Sequence, residues 1–322
     1  MRKKKKKIIY LDQFASSNLA AANEDSLWCE IRIVIERLVN KGFIFCPLSP
    51  EHYVETSGRD YQHANAQTAF FQTISGGLIF NTLEIIISNE IANLVRTGEN
   101  KFIRSCYLKK TGNIMVFENV DQYRRLYSYK TNYNDFIKTE HRFVNELRKE
   151  NKQHHINTSN INILQKACIS LSCQKIIKRL EEVYNNGRII IQGVTINNIE
   201  YPNQIDCVIY NLMKFKQFRP KDIQTLIREL DKYMFERIPS LYIKYSLQSL
   251  WAIDNTQQTS NDIIDLERAA SALAISDYYF TDYKRKNELM KLGIDTKYNT
   301  SIYSAKECDL ELFLNDLNNI ET

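Results

Sequence analysis

Two aspartates near the end of this 322-residue sequence are well placed to do chemistry. Asp262 and Asp265 are three residues apart at the start of a predicted helix, so they share one face of its first turn. The aromatic run 278–280 then predicts a short buried strand, which Thr281 and Asp282 follow directly. Ligands in α/β folds usually bind at the carboxyl ends of strands. Carboxylates that meet at such an edge would offer hard oxygen ligands, which select Mg²⁺ or Mn²⁺.

A structural role is the alternative for each of these acids taken singly. An aspartate in a first helical turn is favoured by the helix dipole, and an aspartate after a strand often opens a turn. The chemical interpretation therefore depends on whether acids from distant parts of the sequence join the same edge.

The N-terminal part of the sequence supplies such acids. Asp12 directly follows a short apolar run, and Glu55 lies on a helix that begins with Ser49 as cap and Pro50 at its first position. The predicted order is strand, helix, strand and helix, over residues 8–11, 26–40, 42–49 and from 50 onward. This order is the start of a parallel sheet with crossover helices.

The strand–helix alternation stops after about residue 58 and returns only near residue 260, where a last strand is predicted over 300–305 and a closing helix over 308–318. We therefore expect an α/β fold whose parallel sheet is flanked by helices and built from both ends of the chain. The predicted domains are an N-terminal half, 1–60, a large and mainly α-helical insertion, 61–255, and a C-terminal half, 256–322. A short strand or hairpin is expected at 187–194.

The insertion mixes basic and aromatic residues in two stretches, 123–152 and 214–221. Such mixtures suit single-stranded nucleic acid, because cations track phosphates and rings stack on bases. Amphipathic helices with solvated basic faces are the alternative interpretation. The candidate nucleic-acid-binding residues are Arg124, Arg125, Arg142, Arg148, Lys214 and Lys216. The lysine run 3–7 is either a solvated tail or a further phosphate contact.

Composition limits the other classes of function. The net charge of +5 permits a nucleic-acid partner without requiring one. We expect a soluble, cytoplasmic protein with no membrane partner, because there is neither a bilayer-spanning apolar run nor a signal peptide. The seven cysteines lack a Cys-x-x-Cys pair, which indicates reduced thiols and no common zinc site. Glycine-rich phosphate loops are absent from the sequence, which argues against a dinucleotide or ATP site.

The acids and their strands together resemble the PIN-domain nucleases over roughly residues 1–60 and 255–322. Asp12 matches the family's acid after the first strand, and Glu55 matches its helical glutamate. Asp265 best matches the acid that opens the helix before the fourth strand, with Asp262 as its competitor.

The last acid of the family pattern corresponds to Asp282, beside Thr281, and Asp277 before the strand also recurs in some relatives. The sequence departs from the family in two respects. Its middle insertion is far longer than that of compact toxin-type members, and Thr281 and Asp282 are adjacent where many members place one residue between them.

The resemblance implies a metal-dependent endoribonuclease that hydrolyses phosphodiester bonds. Mg²⁺ or Mn²⁺ would be held by Asp12, Glu55, Asp265 and Asp282, with Asp262, Asp277 and Thr281 as further catalytic candidates. The implied substrate is single-stranded or tRNA-like RNA, and a protein regulator is compatible with the family. A toxin, an antiviral effector and a processing enzyme all fit. The alternative is a catalytically inactive PIN-like module that binds RNA or another partner.

Two other folds also place an acid after the first strand. A haloacid-dehalogenase-type phosphatase needs a second aspartate two residues after Asp12, where this sequence has Phe14. A phosphoacceptor receiver domain needs an upstream acid pair, which is absent, and lacks a long insertion. His52, on the helix of Glu55, is expected to be a surface residue or to support a ligand from behind.

Overall fold

The computed structural model describes residues 6–56, 60–99, 104–110, 142, 144–149, 161–187, 194–196, 199–201, 204–254 and 258–321. They form two compact units. The sheet unit comprises the described residues within Met1–Asn81, Leu108–Asn132 and Ala272–Thr322. The helical unit comprises those within Thr82–Tyr107 and Tyr133–Ser271. These bounds differ from the predicted domain bounds. Residues 61–81 and 108–110 belong to the sheet unit, and residues 258–271, predicted as part of the C-terminal half, belong to the helical unit.

The regular elements are numbered in chain order. The strands are β1 (Lys7–Leu11), β2 (Ile44–Phe45), β3 (Leu78–Phe80), β4 (Leu108–Lys110), β5 (Val194–Ile196), β6 (Ile199–Tyr201), β7 (Tyr278–Phe280) and β8 (Ser301–Tyr303). The helices are α1 (Gln13–Ala20), α2 (Leu27–Asn40), α3 (Pro50–Thr56), α4 (Tyr61–Ile74), α5 (Leu83–Thr97), α6 (Arg104–Tyr107), α7 (Ile161–Asn186), α8 (Gln204–Lys214), α9 (Pro220–Tyr233), α10 (Pro239–Ile253), α11 (Ser260–Ala272), α12 (Tyr283–Lys291), α13 (Ile294–Tyr298) and α14 (Glu307–Asn318). Residues 144–149 are also helical.

A four-stranded parallel sheet lies at the centre of the sheet unit, in the order β2, β1, β7, β8. Tyr10 of β1 is opposite Tyr279 of β7, and Tyr279 is opposite Ile302 of β8. Strands from the two ends of the chain therefore lie side by side. The prediction of an α/β fold with one parallel sheet flanked by helices is confirmed.

Both faces of this sheet are covered, which is why its strands are apolar along their whole length. On one side of the sheet, Ile9, Leu11 and Phe280 belong to a hydrophobic core that they share with the flanking helices. On the other side, the rings of Tyr10 and Tyr279 stack with centroids 4.8 Å apart.

The predicted helix 26–40 is confirmed as α2. The Ser26 hydroxyl caps it by accepting a hydrogen bond from Cys29 N, and Ile31, Val34, Ile35 and Leu38 are buried at helical spacing. Gly42 follows with a φ of 75°, a left-handed conformation that suits glycine and turns the chain into β2.

The strand predicted over 42–49 is shorter, because β2 covers only Ile44–Phe45. Cys46 N donates to Ile74 O, and Leu48 then pairs with Ile79 instead of with β1. Pro47 has no N–H to continue the ladder, so the chain leaves β1 at this point.

The helical unit consists almost entirely of α-helices, and the sequence predicts a mainly α-helical insertion for this part of the chain. Its long helix α7 packs against α9 and α10, and α5 packs against α8. The contacts are aliphatic and include Ile91, Leu180 and Val208, all of them buried. Its hairpin pairs β5 with β6 and begins at Val194, and residues 188–193 of the predicted strand lie outside the described residues.

Within the described ranges, no helix combines the length and apolar composition that a membrane crossing needs. All seven cysteines are free thiols. Burial raises the pKa of the Cys46 thiol, which keeps it protonated in the core.

Candidate functional site

Asp12 lies where β1 ends and α1 begins. Its backbone N donates to Phe280 O at 3.1 Å, which continues the β1–β7 ladder by one residue. Its carboxylate Oδ1 accepts from Gln13 N at 2.6 Å, so the buried side chain is the N-cap of α1. Asp12 therefore caps α1 and also lies at the position that the sequence predicts for a metal ligand.

Asp282 follows β7 one residue later than Asp12 follows β1, because Thr281 lies between Phe280 and Asp282. Its Oδ1 accepts from Arg285 N at 2.9 Å and caps α12. Thr281 N donates to Tyr303 O at 3.0 Å, so Thr281 is held in the ladder with β8. Neighbouring strands are about 4.8 Å apart. Because Leu11 is opposite Phe280, Asp12 and the Thr281–Asp282 pair lie beside each other at the carboxyl-end edge of the sheet.

Glu55 lies on α3, which is tied to the end of β1 by His52. Ser49 N donates to His52 Nδ1 at 3.0 Å, so Nδ1 carries no proton. The neutral ring must then carry its proton on Nε2, which donates to Leu11 O at 2.8 Å. His52 is buried and thus supports the edge from behind, one of the two expected roles.

A second contact joins the neighbours of the two acids. Gln13, next to Asp12, donates through Nε2 to the hydroxyl of Thr56, next to Glu55, at 2.9 Å. The same Nε2 donates to Gln67 Oε1 at 2.9 Å, and Gln67 Nε2 donates back to Gln13 O at 3.1 Å. These buried amides fix α3 relative to the start of α1, and Glu55 is half-buried on this helix.

Asp277 lies at the opposite edge of the sheet. It precedes β7, and its Oδ2 accepts from Ile8 N at 2.8 Å near the start of β1. Strands rise about 3.3 Å per residue, so the length of β7 separates Asp277 from Asp282. The structure does not bring this candidate to the edge where Asp12 lies, because residues before and after a strand lie at its two ends.

Asp262 and Asp265 belong to the helical unit. Asp262 forms a capping box with Thr259: its Oδ2 accepts from Thr259 N at 2.7 Å, and its own N–H reaches Thr259 Oγ1 at 3.3 Å. Asp265 is paired with the buried Arg268 at 3.4 Å, and its side chain is 14% exposed. The two competitors thus have different environments: Asp262 completes the capping box of α11 with Thr259, and Asp265 forms an ion pair with Arg268.

A charged group that the sequence did not single out follows β8. Ser304 N donates to Asp309 Oδ2 at 3.0 Å, and Lys286 Nζ donates to Asp309 Oδ1 at 2.6 Å. Burial alone would raise the pKa of Asp309, but the hydrogen bonds from Lys286 and Ser304 lower it below its usual value. Ser304 directly follows β8, as Asp12 directly follows β1. A search of the sequence for polar residues at the ends of strands could therefore have found Ser304.

The donor atoms at this edge suit a hard divalent cation in kind, because they are carboxylate oxygens. In the part of the chain that the structure describes, no three histidine, cysteine, aspartate or glutamate side chains form a group that could hold a metal ion. Both Asp12 and Asp282 are turned to cap helices. Carboxylates at ~4 Å repel by about 1 kcal/mol in water and about 4 kcal/mol at an effective dielectric of 20, which favours separated side chains without a cation.

The candidate nucleic-acid contacts differ among themselves. Arg142 and Lys214 are exposed, whereas Lys216 is half-buried. Arg148 donates to Trp251 O at 3.1 Å and to Gln258 Oε1 at 3.0 Å, so its guanidinium binds the protein itself. Arg124, Arg125 and lysines 3–5 lie outside the described residues. Lys7 of β1 donates to the Tyr278 hydroxyl at 2.8 Å.

Comparison with protein families, with curated proteins and with solved structures found no match for this chain.

Proposed function

We propose that this protein is a divalent-metal-dependent endoribonuclease that hydrolyses phosphodiester bonds at the carboxyl-end edge of its sheet. One observation carries the proposal. Asp12 and Asp282 come from opposite ends of the chain, yet they follow neighbouring parallel strands joined by the hydrogen bond from Asp12 N to Phe280 O. The order of the acids in the sequence, which resembles that of PIN-domain nucleases, supports a shared chemical task for them.

The proposed ligands of Mg²⁺ or Mn²⁺ are Asp12, Glu55 and Asp282, which all belong to the sheet unit. A bound cation would supply an activated water and stabilise the leaving oxygen. The backbone N–H groups of Gln13 and Arg285 orient the carboxylates of Asp12 and Asp282. His52, Gln13 and Thr56 hold the helix of Glu55 against the end of β1. Asp277 is left out of the proposed ligand set because it lies at the opposite edge of the sheet, and Asp262 and Asp265 are left out because they belong to the helical unit.

The test is cleavage of labelled single-stranded RNA and tRNA, with Mg²⁺, with Mn²⁺ and with a chelator. We expect Asp12→Asn and Asp282→Asn to lose metal-dependent cleavage, because asparagine lacks the charge that holds the cation. Asparagine is also a good N-cap, so Asp12→Asn should keep the fold and melt close to the unmodified protein.

Asp262→Asn and Asp277→Asn are the matched controls, because each changes the same kind of side chain at a residue outside the proposed ligand set. Both should cleave normally and melt close to the unmodified protein, because the asparagine oxygen can still accept from Thr259 N and from Ile8 N. The proposal is wrong if Asp12→Asn and Asp282→Asn cleave like the unmodified protein. Binding of RNA without cleavage under any metal would identify the inactive RNA-binding module instead.

A further inference from the structure

Two aromatic side chains stand out on the surface of the helical unit at the end of α8. Phe215 is 68% exposed, the highest exposure among the large hydrophobic side chains that the structure describes. Tyr210, five residues earlier, is 37% exposed. Their ring centroids are 6.1 Å apart at an interplanar angle of 82°, so they form one edge-to-face pair. The exposed rings offer adjoining apolar surface to a partner.

The backbone holds Phe215 outward. Phe215 N and Lys216 N both donate to Asn211 O, at 2.9 and 3.1 Å, which closes the last turn of α8. Gln217 then has a φ of 54°, and Phe218 N donates to Leu212 O at 3.0 Å. Phe218 is buried, so the chain is anchored directly after the exposed ring. The exposure of Phe215 is therefore built into a hydrogen-bonded turn.

The sequence around this pair is basic. The sequence from 210 to 221 contains four charged side chains, all of them basic: Lys214, Lys216, Arg219 and Lys221. Lys214, Arg219 and Lys221 are exposed. Arg96 of α5 donates to Lys216 O and adds a fifth cation. Asp222 accepts from Arg219 N at 2.8 Å and belongs to the start of α9.

We propose that the Tyr210–Phe215 pair and these cations form a binding surface for single-stranded nucleic acid, here called the α8 surface. One or two bases stack on the rings, and the phosphates of the same strand contact Lys214, Arg219 and Lys221. Rings alone would fit many apolar partners, but a ring pair within a run of cations is complementary to a strand that alternates bases and phosphates. The single strand bound at the α8 surface would be the substrate of the proposed nuclease. The role of this surface in cleavage therefore rests on the proposed function.

Binding is measured with a labelled oligouridylate on the full chain carrying Asp12→Asn, with a chelator present, so that no cleavage is needed. Phe215→Ala and Tyr210→Ala should each weaken binding roughly tenfold, because a stacked base contributes ~1–3 kcal/mol. The loss should persist at high salt. Phe215→Trp should restore binding, because the larger ring also stacks.

The cations should respond differently. Lys214→Gln and Lys221→Gln should each reduce the slope of log K against log salt by about 0.7, the value for one phosphate contact on a single strand. Ile163→Ala, at a side chain that is 52% exposed on the same unit, and Lys178→Gln, at an exposed lysine of α7, are the matched controls and should leave binding unchanged.

Several outcomes would overturn the α8 surface. One is unchanged oligouridylate binding by Phe215→Ala together with Tyr210→Ala. Another is a loss of affinity in Phe215→Ala that is as large for an RNA duplex of the same length as for the single strand, since paired bases cannot stack on the rings. A third is a change of self-association in Phe215→Ala without a change in binding, which would assign the rings to a second copy of the chain. Ring-dependent binding in a protein that never cleaves RNA would keep the α8 surface and refute the nuclease.

Discussion

Glu90 is a carboxylic acid held inside the helical unit. The Tyr107 hydroxyl donates to it, and Ser240 donates from its N–H at 3.2 Å and from its hydroxyl at 3.0 Å. Burial raises the pKa of Glu90 from 4.5 to about 7, although the hydrogen bonds from Tyr107 and Ser240 oppose the rise. The carboxylate also lies at the N-terminus of α10, where negative charge is favoured.

The raised pKa predicts that stability falls as the pH rises. Between 4.5 and about 7 the folded protein binds more protons than the unfolded chain, so the unfolding free energy decreases with pH in that window. The loss attributable to Glu90 is roughly 3 kcal/mol. Glu90→Gln keeps an oxygen acceptor but does not titrate. We expect urea unfolding to show a smaller loss between pH 4 and pH 8 for Glu90→Gln than for the unmodified protein.

Glu99→Gln is the control for that comparison, because Glu99 is an exposed glutamate just after the same helix. Its pH profile of unfolding should run parallel to that of the unmodified protein. If the Glu90→Gln profile also runs parallel, Glu90 is not protonated preferentially in the folded state.

At the scale of elements, α3 depends on one histidine for its attachment to the sheet. His52 accepts from Ser49 N and donates to Leu11 O, so its two ring nitrogens join the start of α3 to the end of β1. The ring also packs against Phe71 with centroids 4.7 Å apart. The position of Glu55 relative to Asp12 follows from these contacts.

We expect His52→Leu to destabilise the protein by about 3 kcal/mol, because leucine leaves the Ser49 N–H and the Leu11 carbonyl buried without their partner. Chemical denaturation measures this. His63→Ala is the control, since the His63 side chain is 72% exposed and its removal should change stability little. A His52→Leu protein as stable as the control would show that the two hydrogen bonds are replaced by water or by relaxation of α3.

At the scale of the whole molecule, the two tryptophans report on different units. Trp28 belongs to the sheet unit and packs against Phe280 of β7, with ring centroids 5.6 Å apart. Trp251 belongs to the helical unit and is 1% exposed. Because β1 and β7 are neighbours, the sheet needs both ends of the chain.

Truncation after Ser271 should therefore unfold the sheet unit and spare the helical unit, which has its own core. In single-tryptophan variants of the truncated chain, Trp28 fluorescence should shift to the red and Trp251 fluorescence should stay native. A red shift of both would show that the helical unit needs the sheet in order to fold.

Local patterns in the sequence determined most of the elements. Ser26 before the apolar spacing of 31–38, Pro50 after Ser49, and the aromatic run 278–280 each predicted an element that the structure contains. Caps, proline positions and apolar periods act within a few residues, so they can be read without the fold. The placement of Asp12 and Asp282 at strand ends also came from the sequence alone.

Only the tertiary structure decided which of these residues meet. The pairing of β1 with β7 joins residues some 270 positions apart, as in the hydrogen bond from Ile8 N to Asp277, and no local propensity encodes it. The same pairing puts Asp277 at the far edge. Likewise, the sequence predicts that Arg148 contacts nucleic acid, but in the structure Arg148 binds the carbonyl of Trp251, 103 residues away. Long-range burial and hydrogen bonding select such partners, because each buried polar group must find one wherever the chain brings it.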